Sequence, residues 1–447
     1  RNRGLTFDGV VQAGLFTIYG HDFRFSYDTF KIRLASIDSI RIAVETGKTD
    51  PFGNIIVRDV GNILQLTKGE LYIDDPANKS GRKRLTQYPI INAMVPSYIY
   101  YDKIPGLEDV YRKEDFYFRI DPFTFENIDH FRNEDISLSG EFVAGNILKP
   151  MRQQMTVQEN NSLGFEMNIP PEGVEVYDGR GKIFDHISMS NSGLIGRGTL
   201  RHLTSVTRSD EYRFFPDSML ARATVFNIEN DGSGLFPELN SEDVKIKWLP
   251  GRDEWLAENA KDKQFNMFAN GTILDGKLKL MPSGLSGSGE INMTDSKIVS
   301  NGFSFTSSQI RADTADYSFK SPSTSGYAFI AENANTEIDF SQQKAAFHLN
   351  TGSSFVRFPE IEYICTMTDF SYDMGTKILA MEQRGKSGSE PGLIPPEKLL
   401  ALDMRTLEKP TFIAVNGLRD TISFAAARPA TMLKRNILRP EISITSI

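Results

Sequence analysis

One sequence feature restricts this chain more than any other, an internal repeat at a fixed offset of 91 residues. Ser192-Gly-Leu-Ile-Gly-Arg-Gly198 recurs as Ser283-Gly-Leu-Ser-Gly-Ser-Gly289. The same offset carries Ser205 onto Ser296, Ser209 onto Ser300, Phe214 onto Phe305 and Ala221 onto Ala312. Conservative matches hold the register between them: Ile187 with Leu278, Met189 with Leu280, Met219 with Ile310, Phe226 with Tyr317 and Ile228 with Phe319. An ungapped match of this length implies a duplicated supersecondary unit, residues 187–229 and 278–320, rather than a shared loop. Just upstream, Ile183-Phe-Asp185 fits Ile273-Leu-Asp275 at an offset of 90, which predicts one inserted residue and hence a β-bulge.

The hydrophobic period inside and outside the repeat is two. Phe23-Arg-Phe-Ser-Tyr27, Lys31-Ile-Arg-Leu34, Ser39-Ile-Arg-Ile-Ala-Val44, Phe116-Tyr-Phe-Arg-Ile120, Phe303-Ser-Phe305 and Tyr317-Ser-Phe319 each place aromatic or β-branched residues on one face. Short strands at close spacing with Gly, Asn, Asp and Ser between them predict an all-β fold. Combined with the duplication, they predict an elongated stacked β-sheet or β-solenoid-like architecture with one or two short helices. In such a stack the Gly-x-Gly pairs serve as tight corners. Helical patterns are confined to Pro395-Pro-Glu-Lys-Leu-Leu-Ala-Leu-Asp-Met-Arg405, two turns over Asp253–Ala260 and one over 106–111. Residues 385–392 and Asp74-Asp-Pro-Ala-Asn-Lys-Ser-Gly81 read as loops. Three regions follow: an N-terminal β region 1–150, the duplicated region 151–320, and a C-terminal β region 321–447 with the loop and short helix near 385–405.

Composition removes several functions. A net charge of -8 argues against nucleic acid as a partner, because phosphate neutralisation calls for a basic excess. The single cysteine, Cys365, excludes an internal disulfide or a thiolate zinc site, and its apolar strand context marks it as a buried small hydrophobe. No apolar run approaches the length of a membrane-spanning helix. The chain opens on Arg1-Asn2-Arg3 and stops within an alternating pattern at Ile447, which reads as a piece of something longer whose strand edges are capped by flanking segments or partner chains.

Candidate chemistry is sparse. The glycine motif lacks the Gly-Lys-Ser/Thr ending of a P-loop. His21, His130, His186, His202 and His348 show no metal-pair spacing, and His186 and His202 become Lys277 and Met293 in the second copy. Acid pairs suited to a glycosidase or a calcium-assisted lyase are Asp74 with Asp75, Asp313 with Asp316, and Glu360 with Glu362. Asp313 and Asp316 align with Arg222 and Val225 in the other copy, so solvated faces and turns are the default reading. No catalytic, cofactor-binding or metal residue is assigned, and no cofactor is implied. The alternating Phe116, Phe118, Phe123, Phe125, Phe214, Phe215, Phe303 and Phe305 are core if the sheet closes, and an acyl-chain trough if it stays open.

Phe7-Asp-Gly-Val-Val-Gln-Ala-Gly-Leu-Phe16, Phe23-Arg-Phe-Ser-Tyr-Asp-Thr-Phe30, Ser162-Leu-Gly-Phe165, Val176-Tyr-Asp-Gly-Arg-Gly181 with Ser190-Asn-Ser-Gly-Leu194, Lys247-Trp-Leu-Pro250, Phe265-Asn-Met-Phe268 and Ala312-Asp-Thr-Ala-Asp-Tyr317 resemble large repetitive β-rich envelope proteins of Bacteroidota. Their architecture is similar to AsmA-like, TamB-like and lipopolysaccharide-bridge β-groove proteins. The resemblance implies a segment of a larger polypeptide in the periplasm or at the outer membrane, a scaffold with other envelope proteins as partners. A lipid or lipopolysaccharide conduit is the first alternative and a β-helix polysaccharide-active enzyme the second. No functional residue comes with the resemblance.

Overall fold

The structure, a computed structural model, describes residues 4–260, 262–322, 324–350, 356–359, 363–365, 369–382, 398–403 and 411–414. It is almost wholly β, with antiparallel pairing throughout its strand ladders. The chain divides into two compact units, one of residues 1–202 with 209–221, the other of residues 203–208 with 222–447.

The first unit starts with three long strands, Gly4–Ala13, Phe16–Ser26 and Lys31–Thr49, each antiparallel to the next. Their alternation decides what is buried. Phe16, Ile18, Phe23, Leu34, Ile40 and Ile42 turn inward, while the polar residues between them stay partly wet. Phe116–Ile120 and Leu138–Ala144 add a second aromatic layer. Phe116 meets Tyr111 at 4.2 Å and Phe142 at 5.3 Å, and Phe142 meets Phe165 at 5.0 Å between ring centroids. Offset and edge-on ring contacts of this kind each add about 0.5–1.5 kcal/mol beyond area burial. Buried tyrosines tie the layer to backbone: Tyr111 donates to the Phe214 carbonyl at 2.7 Å and accepts from the Leu194 amide at 3.2 Å. Burial pushes the Tyr111 hydroxyl up to about 12, so it remains a donor at any physiological pH.

The second unit is built on a meander of Thr272–Met281, Gly284–Asn292, Ser296–Phe305, Gln309–Lys320, Tyr327–Asp339 and Lys344–Leu349. The helix expected at residues 253–260 is instead a strand, Glu254–Asn259, paired with Val244–Leu249. The reason is Trp255, which stands opposite Trp248; both are fully buried with centroids 5.4 Å apart, and only a period-two backbone brings them together. The helix expected at 395–405 is corrected likewise. Lys398–Asp403 is a strand bonded to Ile378–Glu382 on one side and Thr411–Ala414 on the other. Two neighbouring ladders outweigh the helix propensity of Leu and Ala, which amounts to tenths of a kcal/mol per residue. The single turn expected over 106–111 is a run of reverse turns, with Leu107 and Val110 each bonded to a carbonyl three residues back. The loop at 74–81 in turn contains a short helix, Pro76–Lys79, started by the side chain of Asp75. Residues 385–392 lie outside the described residues.

The repeat is carried into three dimensions strand by strand. In the first copy Met189 pairs with Leu194, Tyr212 with Ala221, Phe214 with Met219 and Ser205 with Ile228. In the second, Leu280 pairs with Leu285, Phe303 with Ala312, Phe305 with Ile310 and Ser296 with Phe319, the same register residue for residue. The upstream insertion is not there. Ile183 pairs with Leu200 and Leu274 with Ile291, so the offset of 91 continues and the matching identities at Ile183 and Ile273 are out of structural register. The bulge sits further on, where Gly287 faces Phe303 but Gly289 faces Ser300.

The spaced glycines are also not corners. They lie within the strands Gly193–His202 and Gly284–Asn292. A Cβ on Gly196 would stand 2.8 Å from the Phe214 ring, and one on Gly287 would stand 3.1 Å from the Phe305 ring. The glycine is therefore the slot that a buried phenylalanine lies over, which is why glycine and phenylalanine recur together.

Candidate functional site

The residues singled out in the sequence do not converge. Asp75 caps the short helix by accepting from the Ala77 amide at 2.8 Å, and Asp74 accepts from the Asp75 amide at 2.8 Å and the Asn78 side chain at 2.6 Å. Both carboxylates are used up in local structure. Asp316 accepts from the Asn333 amide at 3.0 Å across the bulged ladder, and Asp313 is exposed on the same strand. Glu360 and Glu362 lie outside the described residues. The histidines are scattered: His21 beside Ser36 at 2.9 Å, His130 beside Glu45 at 3.1 Å, His186 beside Asn168 at 3.3 Å, His202 against the Arg180 carbonyl at 2.8 Å, and His348 beside Asp369 at 2.9 Å. Among the described residues no group of three or more His, Cys, Asp or Glu side chains is placed to hold a metal ion. The backbone of Cys365 pairs with Val356. Of the eight alternating phenylalanines, Phe116, Phe118, Phe125, Phe214, Phe303 and Phe305 are buried core, each at most 6% exposed, while Phe123 and Phe215 are partly exposed.

A concave site does occur in the second unit, assembled from turns the sequence reading passed over as connections. The turns 268–271, 306–308, 340–343 and 374–377 surround a cleft of about 450 Å³, and a smaller cavity of about 170 Å³ adjoins it through the shared residues Asn270, Phe340 and Met374. Phe268 and Phe340 form the apolar floor, their centroids 4.8 Å apart. Phe268 is held at φ 60° and Gln343 at φ 54°, the left-handed region that costs a bulky residue about 1–3 kcal/mol. Phe268 is locked there by its amide bond to the Glu238 carbonyl at 2.8 Å.

The rim is polar and uncharged. Asn270 spends its carbonyl oxygen on the Thr272 amide at 3.0 Å and keeps its NH₂ free among the described residues. Ser307, Ser308 and the Gln343 amide keep side-chain hydrogen-bonding capacity facing the cleft. In the inner cavity Lys377 donates to Asp295, and the Tyr372 hydroxyl lies 3.5 Å from the same carboxylate. Lys320 holds the loop from the other side by donating to the Met293 carbonyl at 2.7 Å and the Thr294 carbonyl at 3.3 Å. Burial first, and then the Asp295 charge, push the Tyr372 hydroxyl well above the ordinary phenol range, so it acts as a donor rather than a base. Among the described residues, Asp295 is the sole carboxylate lining either cavity.

No family model, curated protein or solved structure matches the chain. A class can therefore be stated only at the level of architecture: an all-β protein built of antiparallel ladders around a duplicated strand unit.

Proposed function

We propose that the chain is a non-enzymatic structural or assembly segment of a large bacterial cell-envelope protein. The observation that carries this reading is an open sheet edge. Gly4–Ala13 bonds to Phe16–Ser26 along one side, and among the described residues nothing bonds to its other side. Its side chains are largely exposed, with Leu5 at 60% and Val10 at 57%. An edge strand is a template for another strand; a bulge between Phe7 and Gly9 interrupts this one and leaves residues 9–13 as a regular, uncharged stretch. A flanking segment or a partner envelope protein adding a strand here satisfies the free backbone groups. The resemblance noted in the sequence supports the envelope setting. The conduit alternative has less support, since six of the eight phenylalanines it would use are buried, Phe123 and Phe215 being partly exposed.

The test is site-specific photo-crosslinking from Val10 in cells, followed by fractionation. The reading expects a discrete adduct in the envelope fraction, with an envelope protein or a flanking part of the same polypeptide. An adduct restricted to cytoplasmic proteins, or none, counts against it.

A further inference from the structure

From the cleft in the second unit we infer a second capacity, independent of the open edge: it is a binding site for the pyranose rings of a neutral oligosaccharide. Four features select this chemistry. The floor is two aromatic rings, Phe268 and Phe340, half-buried and 4.8 Å apart, which suit the C–H face of a sugar ring. The rim is amide and hydroxyl, from Asn270, Ser307, Ser308 and Gln343, which can donate to and accept from ring hydroxyls. The one carboxylate is neutralised by Lys377, so the site offers no net charge to an ion, while the Asp295–Lys377 pair supplies an acceptor and a donor to a hydroxyl reaching the inner cavity. A volume of about 450 Å³ lies within the roughly 300–1,000 Å³ of small-molecule clefts. An acyl chain is a poorer match, since the rim would leave its polar groups unpaired against hydrocarbon.

The backbone adds a further point. A left-handed turn residue is ordinarily glycine, and glycine at position 268 would remove the strain along with the ring. The chain instead carries a phenylalanine there, and the strain is what sets that ring on the floor of the cleft.

The experiment titrates the full chain with cellotetraose, mannotetraose and chitotetraose by calorimetry and saturation-transfer NMR. At least one is expected to bind saturably, with no loss of affinity on acidifying from pH 8 to pH 6. Phe268→Gly and Phe340→Ala should each weaken binding tenfold or more, and Gln343→Gly severalfold. Gln343 is exposed and its glycine variant relieves backbone strain, so its thermal midpoint should change little; a cooperative unfolding transition kept by Phe268→Gly and Phe340→Ala separates a lost site from a lost fold. Saturable binding of none of the three sugars overturns the inference. So does sugar binding that survives both Phe268→Gly and Phe340→Ala, or selective binding of an Ala-Tyr-Ala-Tyr peptide in place of the sugars.

Discussion

The two copies of the repeat share an interior and differ on their surfaces. Ser205–Phe214 and Ser296–Phe305 have the same succession of buried and exposed positions from end to end. The buried partners agree in kind: Phe214 over Gly196, Phe305 over Gly287. One local hydrogen bond is repeated too, for the Glu211 amide bonds to the Ser209 hydroxyl at 3.1 Å and the Gly302 amide to the Ser300 hydroxyl at 3.1 Å. Outside the core the copies diverge. Glu290 and Lys297 form an ion pair at 2.6 Å in the second copy, where the first has Thr199 and Val206. Asp185 stands where the second copy has Gly276. The difference teaches that packing volume and strand register hold the duplicated unit together, and that its charges are incidental to the fold.

The largest effect should come from the shared ring. Phe214→Ala and Phe305→Ala each empty a buried site, and each is expected to cost about 3–5 kcal/mol in urea unfolding. A cost below about 1 kcal/mol in one copy alone would break the equivalence. Next are the glycines at positive φ, Gly198 at 109° and Gly289 at 130°. A Cβ on Gly198 meets the side chain of Asp185, whereas one on Gly289 meets backbone, at the Asp275 carbonyl and 2.8 Å from the Gly276 Cα. Both alanine variants are strained, by about 1–3 kcal/mol. Combining Asp185→Gly, the residue the second copy has at Gly276, with Gly198→Ala should recover part of the first loss, and thermal melts of the single and double variants measure it; no substitution of the Asp275 side chain should recover the second.

Ser209→Ala and Ser300→Ala should each lose about 1 kcal/mol, because the Glu211 or Gly302 amide loses its hydroxyl partner. Equal shifts in denaturation midpoint support a common device. The smallest effect belongs to the ion pair. The Lys297 hydrogen bond, and then Asn292, hold the Glu290 carboxyl below its usual 4.5. A depressed acid contributes stability that is complete above its unfolded value and is lost as pH falls through the lower folded one. With both groups partly exposed, the pair adds about 0.5 kcal/mol near neutrality, fading below about pH 4.5. The double variant Glu290→Thr with Lys297→Val, which gives the second copy the residues of the first, should remove that pH dependence from its melting curve.

Much of this was legible in the sequence because the physics is local. Phe116, Phe118 and Ile120 alternate with Tyr117 and Arg119, and that period alone places the first three inside. The repeat was legible because identities at Gly196, Ser209 and Phe214 answer to one packing contact and one hydrogen bond. The errors arose where a segment's state depends on a distant partner. Residues 398–403 have good helix propensity, and only the ladders beside them make a strand. The cleft left no signal at all: Phe268, Ser307, Phe340 and Gln343 sit on separate turns with no shared motif or spacing.

The sequence by itself determined that the chain is β, that one unit of it is duplicated, and which residues of that unit face inward, because side-chain period and repeat register are properties of neighbours along the chain. The tertiary structure alone decided which of the alternating phenylalanines are buried, that glycines are slots for rings rather than corners, and that four turns meet around an aromatic floor. Those are distances between residues far apart in sequence, set by which strands pair and which turns meet, and no local pattern encodes them.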